Sequence, residues 1–312
     1  MKLEGRLSRP IDEAEASGLA RDLYGIEATA RALPGEYDDN FHLFAADGTE
    51  RVFKVMHPAR ERSLVELQCA ALEHIAARAP HLTLPRVCRT PGGAAIAAAT
   101  VGGLDRLTWM LMYVPGRPLA EARPHTPELF GSLGRLLGEV DRALLDFSHP
   151  AADRPDLKWD LARAGWIGDE VGVIADPPRR ALVEHALDRF EAEVVPALPR
   201  LRRTVIYGDA NDYNVIVGDP LLRPRPVSVI DLGDMHLGLT VSEPAIAATY
   251  ALLGKPDPLA AAAELVRGYH AALPLDEMEI ALLHPLIAAR LAVSVVNSAL
   301  MKRRRPDASS VG

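Results

Sequence analysis

Val205-Ile-Tyr-Gly-Asp209-Ala-Asn-Asp-Tyr-Asn214-Val-Ile-Val217, followed by Val227-Ser-Val-Ile-Asp231-Leu-Gly-Asp234, is the stretch whose reading decides the fold. It reads as a strand, a polar loop, and two short strands joined by a turn over residues 218–226. Asn214 stands immediately before one arm of that hairpin and Asp231 immediately after the other. Antiparallel pairing brings both side chains to the same open end, beside the loop that carries Asp209. Three oxygen-bearing side chains converging in this way suit a hard cation such as Mg2+, which takes one or two carboxylates plus waters and substrate phosphates. The plain alternative is that Asp209 and Asp231 only cap loops, as Asp often does.

Working outward, the residues before this island change period repeatedly. Residues 13–23 and 64–78 have helical apolar spacing, the second with Leu64, Leu67, Ala71, Leu72 and Ile75 on one face. Residues 41–45 and 51–56 flank Asp47-Gly48 and read as a β-hairpin. Residues 87–89, 94–98 and 108–114 are further strand candidates, with Pro91-Gly92-Gly93 turning between the first two. After Pro115-Gly116-Arg117-Pro118 the pattern becomes helical. Thr126 caps a helix running to about residue 147, with Pro127 at its first position, where a missing N–H costs nothing. Residues 180–195, 258–271 and 276–299 are further helices, and Pro285 is expected to kink the last. The expected class is α+β, with a small β-rich N-lobe over 1–113, a larger helical C-lobe over 114–301, a cleft between them, and a flexible tail over 302–312.

Composition excludes several classes. The chain has 312 residues, 48% hydrophobic and 25% charged, which is ordinary globular usage, and about two units at ~150 residues each. Thirty-five basic against 42 acidic residues leave −7, a poor balance for general binding to nucleic acid or an anionic membrane. The basic run from Lys302 to Arg305 reads as a solvated end. Two cysteines, Cys69 and Cys88, cannot make a disulfide framework, and ten histidines show no zinc spacing. There is no G-x-S-x-G, and Gly254-Lys255 lacks the rest of a Walker loop. No signal core is visible, and no run approaches the ~18 apolar residues of a membrane span. A cytoplasmic protein with no membrane partner is expected.

The decisive stretch resembles the catalytic and metal-binding motifs of the aminoglycoside phosphotransferase/choline kinase superfamily, which has the protein-kinase-like fold. Within it the phrases from Tyr207 to Asn214, from Ile230 to Met235, and Arg267-Gly-Tyr269 are most similar to the hydroxylysine kinase branch. The resemblance spans about residues 22–299 and is most specific in the second lobe. It implies that Asp209 is the base for the substrate hydroxyl and that Asn214 and Asp231 bind Mg2+. Those roles agree with phosphoryl transfer, which is mostly positioning and charge neutralisation. One departure is Tyr207, where the family usually places a His that braces the loop. In the first lobe the resemblance makes Lys54 the lysine that holds the α- and β-phosphates. Its carboxylate partner is Glu66 or Glu73, seven apart on one helix face; the phrase Val65-Glu-Leu-Gln68 resembles the family better, so Glu66 is expected. No G-x-G-x-x-G covers the phosphates; residues 33–41 have one glycine, Gly35, at which backbone can approach phosphate. The hinge position falls on the strand ending at Met112, Tyr113 and Val114, whose backbone is expected to meet a purine.

The resemblance implies a kinase that moves the γ-phosphoryl of ATP or GTP to the hydroxyl of a small-molecule amino alcohol, with 5-hydroxylysine first. Another aminoglycoside, choline or ethanolamine type of kinase is the alternative. A pseudokinase-like binding module from a larger multidomain enzyme is a second, since relatives can be fused to further domains, but the intact set Lys54, Asp209, Asn214 and Asp231 argues against it. Surplus acids at Asp234, Glu243, Asp38 and Asp39 are expected to read an ammonium on the acceptor, with Glu36 less favourably placed.

Overall fold

The computed structural model describes residues 10–218 and 225–304. The turn expected at 218–226 therefore falls largely outside the described residues, as do residues 305–312 of the expected tail. The chain divides into two compact units after Pro115, two residues beyond the expected boundary.

The first unit is a six-stranded antiparallel sheet with two helices. Helix α1 (Glu13–Tyr24) starts on a capping box between Asp12 and Glu15 and stops at Gly25, whose φ of 68° is a left-handed cap. Strands β1 (Ala28–Leu33), β2 (Asp39–Ala45) and β3 (Glu50–Val55) form a meander. Asp47 and Gly48 make the turn between β2 and β3: Gly48 has φ 80°, and the Asp47 carboxylate accepts from the Thr49 amide at 2.9 Å. Helix α2 (Arg62–Arg78) follows, then β4 (Val87–Cys88), β5 (Ile96–Val101) and β6 (Leu104–Met112). The sheet order is β1-β2-β3-β6-β4, with β5 also on β6. Alternation decides its faces. Phe41, Leu43, Phe53, Val55 and Met110 are buried with Ala16, Ala20 and Tyr24 of α1. Lys54 lies opposite Asn40 and Trp109 in the ladder and so faces the other way.

The second unit is mostly helical. It opens with β7 (Arg117–Pro118) and α3 (Pro127–Leu144), whose cap Thr126 accepts from the Leu129 amide at 3.2 Å. Short 3-10 turns precede α4 (Pro177–Arg189). The helix expected to run to 195 stops at Arg189. A wider turn and a 3-10 turn take over, because Pro196 and Pro199 have no N–H to continue the ladder. Strands β8 (Arg203–Ile206), β9 (Val215–Gly218), β10 (Arg225–Val229) and β11 (His236–Leu239) follow. They form two small sheets, β10-β9-β7 and β11-β8.

Helices α5 (Ser242–Leu252), α6 (Pro258–Ala272) and α7 (Glu277–Arg304) complete the unit. Helices α3 and α6 approach at backbone contact: a side chain on Gly134 would overlap the Leu265 carbonyl, and one on Gly268 the Gly131 carbonyl. Helix α7 starts where the Asp276 carboxylate accepts from the Glu279 amide at 2.8 Å and the Glu279 carboxylate from the Asp276 amide at 2.9 Å, and it runs unbroken through Pro285. It ends at Arg304, so residues 302–304, expected in the tail, are helical. The expectation of no span-length apolar run is corrected here. By length and composition residues 277–303 suffice to cross a membrane: the charged residues Glu277, Glu279, Lys302 and Arg303 lie near its ends, and an 18-residue window between them reaches a mean hydropathy of 1.7. Within the unit that helix buries Leu286, Val293 and Val296 completely.

Candidate active site

The site in the second unit begins with register. The Ile230 amide donates to the Asn214 carbonyl at 2.9 Å, one step beyond the β9–β10 ladder, so Asn214 and Asp231 emerge at one end of the hairpin. Asp231 takes φ 57°, the only left-handed non-glycine among the described residues, and accepts from the Gly233 amide at 3.2 Å. Asp tolerates that conformation better than most residues. Asp209 reaches the same end from β8 through a tight loop. Asn211 shapes it: its Oδ1 accepts from the amides of Tyr213 and Asn214 at 2.9 and 3.1 Å.

Asp209 is gripped from three sides. Asn214 Nδ2 donates to its Oδ2 at 2.7 Å, Asn211 Nδ2 to its Oδ1 at 3.0 Å, and Arg290 Nη2 stands 3.4 Å from Oδ1. Burial, with the charges of Asp234 and Asp231, pushes its carboxyl up to about 7, against the opposing pull of Asn211 and Arg290. A carboxyl held there is matched to taking a proton near neutral pH. With the Asn214 amide nitrogen committed to Asp209, its carbonyl oxygen is the end left for a cation, and the Asp231 carboxylate is exposed beside it. Two hard oxygen donors fit Mg2+, which keeps waters and phosphate oxygens for its remaining positions. Among the described residues no three His, Cys, Asp or Glu side chains form a self-sufficient metal cage.

Several residues below the loop carry roles that the sequence reading assigned differently or missed. The Tyr207 hydroxyl donates to the Ile230 carbonyl at 2.5 Å, so the tyrosine supplies a brace. Glu243 is corrected as an acceptor contact. It is fully buried, and its Oε2 accepts from the Gly208 amide at 2.7 Å, holding the loop from underneath. Burial raises its carboxyl to about 7, and buried Asp141 is raised too, by its own burial and then by the charge of Glu243. Arg154 Nη1 donates to the carbonyls of Gly233 and Met235 at 2.6 and 3.1 Å and fixes the segment after Asp231. Burial raises the Asp234 carboxyl, opposed first by the Arg154 charge. Arg290 carried one signal in sequence, as the one Lys or Arg in the apolar stretch between Glu279 and Lys302.

In the first unit, Asp38 and Asp39 are corrected as acceptor contacts. Asp38 accepts from the His57 amide and pairs with Arg60, both at 2.7 Å. Asp39 is buried against Arg106 at 2.8 Å, and Arg106 also donates to the Val55 and Met56 carbonyls. Their charge is spent tying the loop to the end of β3, while Glu36 is exposed. Gly35 is needed by its own loop, since a Cβ there would overlap the Asp38 carbonyl. Lys54 Nζ sits 5.6 Å from the Trp109 ring centroid. Glu66 is 3.8 Å from Arg62, and Glu73 pairs with Arg89. At the expected hinge, the amides of Met112 and Tyr113 already donate to the carbonyls of Arg86 and Glu50, at 2.8 and 3.1 Å. Those two amides are thus engaged within the first unit.

Comparison with known proteins gives the family and the fold. The model of the phosphotransferase enzyme family matches residues 29–280. Hydroxylysine kinase from Mus musculus is 28% identical over 325 residues, covering 96% of this chain and 85% of its own. Among solved structures, the microcompartment-associated aminopropanol kinase superposes with a TM-score of 0.68 at 17% identity, over 94% of this chain and 97% of that one. Amicoumacin kinase in complex with AMP-PNP, Ca2+ and Ami superposes with a TM-score of 0.70 at 14% identity, over 93% and 87%. The fold, an antiparallel-sheet unit followed by a helical one, is thus kinase-like.

Proposed function

The chain belongs to the phosphotransferase enzyme family, and from that premise we propose that it is a small-molecule kinase acting on an amino alcohol, with 5-hydroxylysine the first candidate and ATP or GTP as donor. The observation that carries this reading is the grip of Asn214 on Asp209 at 2.7 Å, at the hairpin end where Asp231 emerges. It unites a proton acceptor with two oxygen donors for a cation. The relatives named hydroxylysine kinase support the acceptor.

In this reading Asp209 orients the acceptor hydroxyl and takes its proton as the hydroxyl oxygen bonds to the γ-phosphorus. The bond from that phosphorus to the bridging oxygen breaks, and the nucleoside diphosphate leaves. Asn214 and Asp231 would hold Mg2+, which supplies positive charge to the phosphate oxygens. Lys54 would hold the α- and β-phosphates with Glu66 steadying it, and Val114 would meet the purine. Asp234 remains the candidate for an acceptor ammonium. A panel of amino alcohols, assayed by nucleoside-diphosphate release with ATP and with GTP, tests the proposal. Release that exceeds the acceptor-free rate for 5-hydroxylysine supports it, and no stimulation by any amino alcohol removes it.

A further inference from the structure

Arg290 lies wholly inside the second unit, with its side chain 1% exposed, yet one of its three nitrogens makes all of its hydrogen bonds. Nη2 reaches Asp209 Oδ1 at 3.4 Å and the Tyr250 hydroxyl at 3.2 Å. Nε and Nη1 are buried with no acceptor among the described residues. A guanidinium carries five N–H donors, so three are unmet. The rings of Trp159 and Tyr250 stand 4.3 and 5.8 Å from its central carbon. Aromatic faces attract the cation as a whole, but they do not replace in-plane oxygen acceptors at its edge.

A buried cation with unmet donors is unfavourable in the resting protein. Through Nη2 the guanidinium lies beside Asp209, the residue that the kinase reading places at the acceptor hydroxyl. The other arginine near these carboxylates, Arg154, is engaged by the carbonyls of Gly233 and Met235. Trp159 and Tyr250 are both partly exposed, so a ligand can reach the guanidinium edge by displacing a ring without opening the core. Resting on the kinase reading above, we propose that Arg290 is an oxyanion-binding residue of the acceptor site. The oxyanion has two sources: a carboxylate on the acceptor, which would make the substrate a hydroxy amino acid, or the phosphoryl group in transfer.

Steady-state kinetics of wild type, Arg290→Lys and Arg290→Gln separate the sources, using 5-hydroxylysine and the same compound without its carboxylate. If the acceptor carboxylate is bound, substitution raises KM at least tenfold more for 5-hydroxylysine than for the decarboxylated compound. If the phosphoryl group is bound, kcat falls at least tenfold for both compounds at unchanged KM. Parameters within threefold for both compounds overturn the proposal. So do losses that are equal in KM and kcat and accompany a lower unfolding temperature. A second measurement leaves Arg290 intact. Titration of wild type with 5-hydroxylysine, its decarboxylated analogue and inorganic phosphate should change tryptophan fluorescence for the oxyanion-bearing probe only, and Trp159→Phe should abolish the change. No change with any probe overturns the proposal. If wild type phosphorylates neither compound, the kinase reading fails, and the fluorescence titration still decides whether Arg290 receives an oxyanion.

Discussion

The hydroxyl of Tyr207 and the carbonyl of Ile230, 23 residues apart, are joined at 2.5 Å, and the bond ties the start of the Asp209 loop to the residue before Asp231. Two segments that must keep a fixed separation for chemistry are thereby fixed by one side chain. Tyr207→Phe should destabilise the protein by about 0.5–1.5 kcal/mol, the usual net worth of an intramolecular hydrogen bond, since the bond is only partly buried. Urea unfolding measures it, and an unchanged midpoint would remove Tyr207 from this role.

Asp209→Ala should lower kcat by about 10²–10⁴-fold, the usual contribution of a general base, with nucleotide affinity preserved. Single-turnover kinetics alongside nucleotide binding make the test. A variant within threefold of wild type excludes Asp209 as base.

Asp231→Asn should raise the Mg2+ concentration for half-maximal rate more than Asn214→Ala does, because it removes charge as well as a ligand. A Mg2+ titration at saturating nucleotide reads both shifts. An unmoved Asp231→Asn curve would discard the shared site.

Asp39→Ala should cost about 3–5 kcal/mol by stranding the buried Arg106 guanidinium. The acceptor KM, measured well below the unfolding temperature, should stay within twofold of wild type. A large KM rise without loss of stability would restore Asp39 as an acceptor contact.

Glu243 makes stability depend on pH in a defined direction. Its carboxyl is raised from 4.5 to about 7 in the fold by burial, opposed by the Gly208 amide and the charges of His236 and Arg290. The neutral form is therefore favoured in the native state. Its contribution is complete below the unfolded value and is lost as pH rises through about 7. Buried Asp141 acts in the same direction, and the Tyr269 hydroxyl that donates to it at 2.6 Å opposes its rise. Denaturant midpoints between pH 5 and 8 should fall with pH in wild type and fall less in Glu243→Gln, which keeps an acceptor for Gly208. Equal slopes would refute the assignment.

Much of this was legible in sequence because its signals are local. Asp47-Gly48 dictates a turn, Thr126-Pro127 opens a helix, and the two short apolar runs beside Asn214 and Asp231 pair as a hairpin that brings both to one end. Elsewhere tertiary contact decides. The segment from Ala28 to Leu33 has weak strand preference, and pairing with β2 makes it a strand. His236–Leu239 is likewise a strand through β8. Charge alone could not tell an acid aimed at a ligand from one aimed at its own fold. Asp38, Asp39 and Glu243 all proved to be the second kind, because Arg60, Arg106 and the Gly208 amide stand far from them in sequence. The brace from Tyr207 was hidden for a related reason: its partner is a backbone carbonyl, which no residue pattern announces.

The backbone contact between α3 and α6 reaches beyond packing. With no side chain between Gly134 and Leu265, or between Gly131 and Gly268, neither helix can slide or roll without collision, so the pair behaves mechanically as a single beam. That beam carries Asp141 on one member and Tyr269 on the other, next to the carboxylate that supports Gly208. The Asp209 loop therefore rests on an anvil, and deformation is displaced into the loops around it. Directed variation of this protein would find its adaptable positions there, while Gly134 and Gly268 would admit no added methyl group.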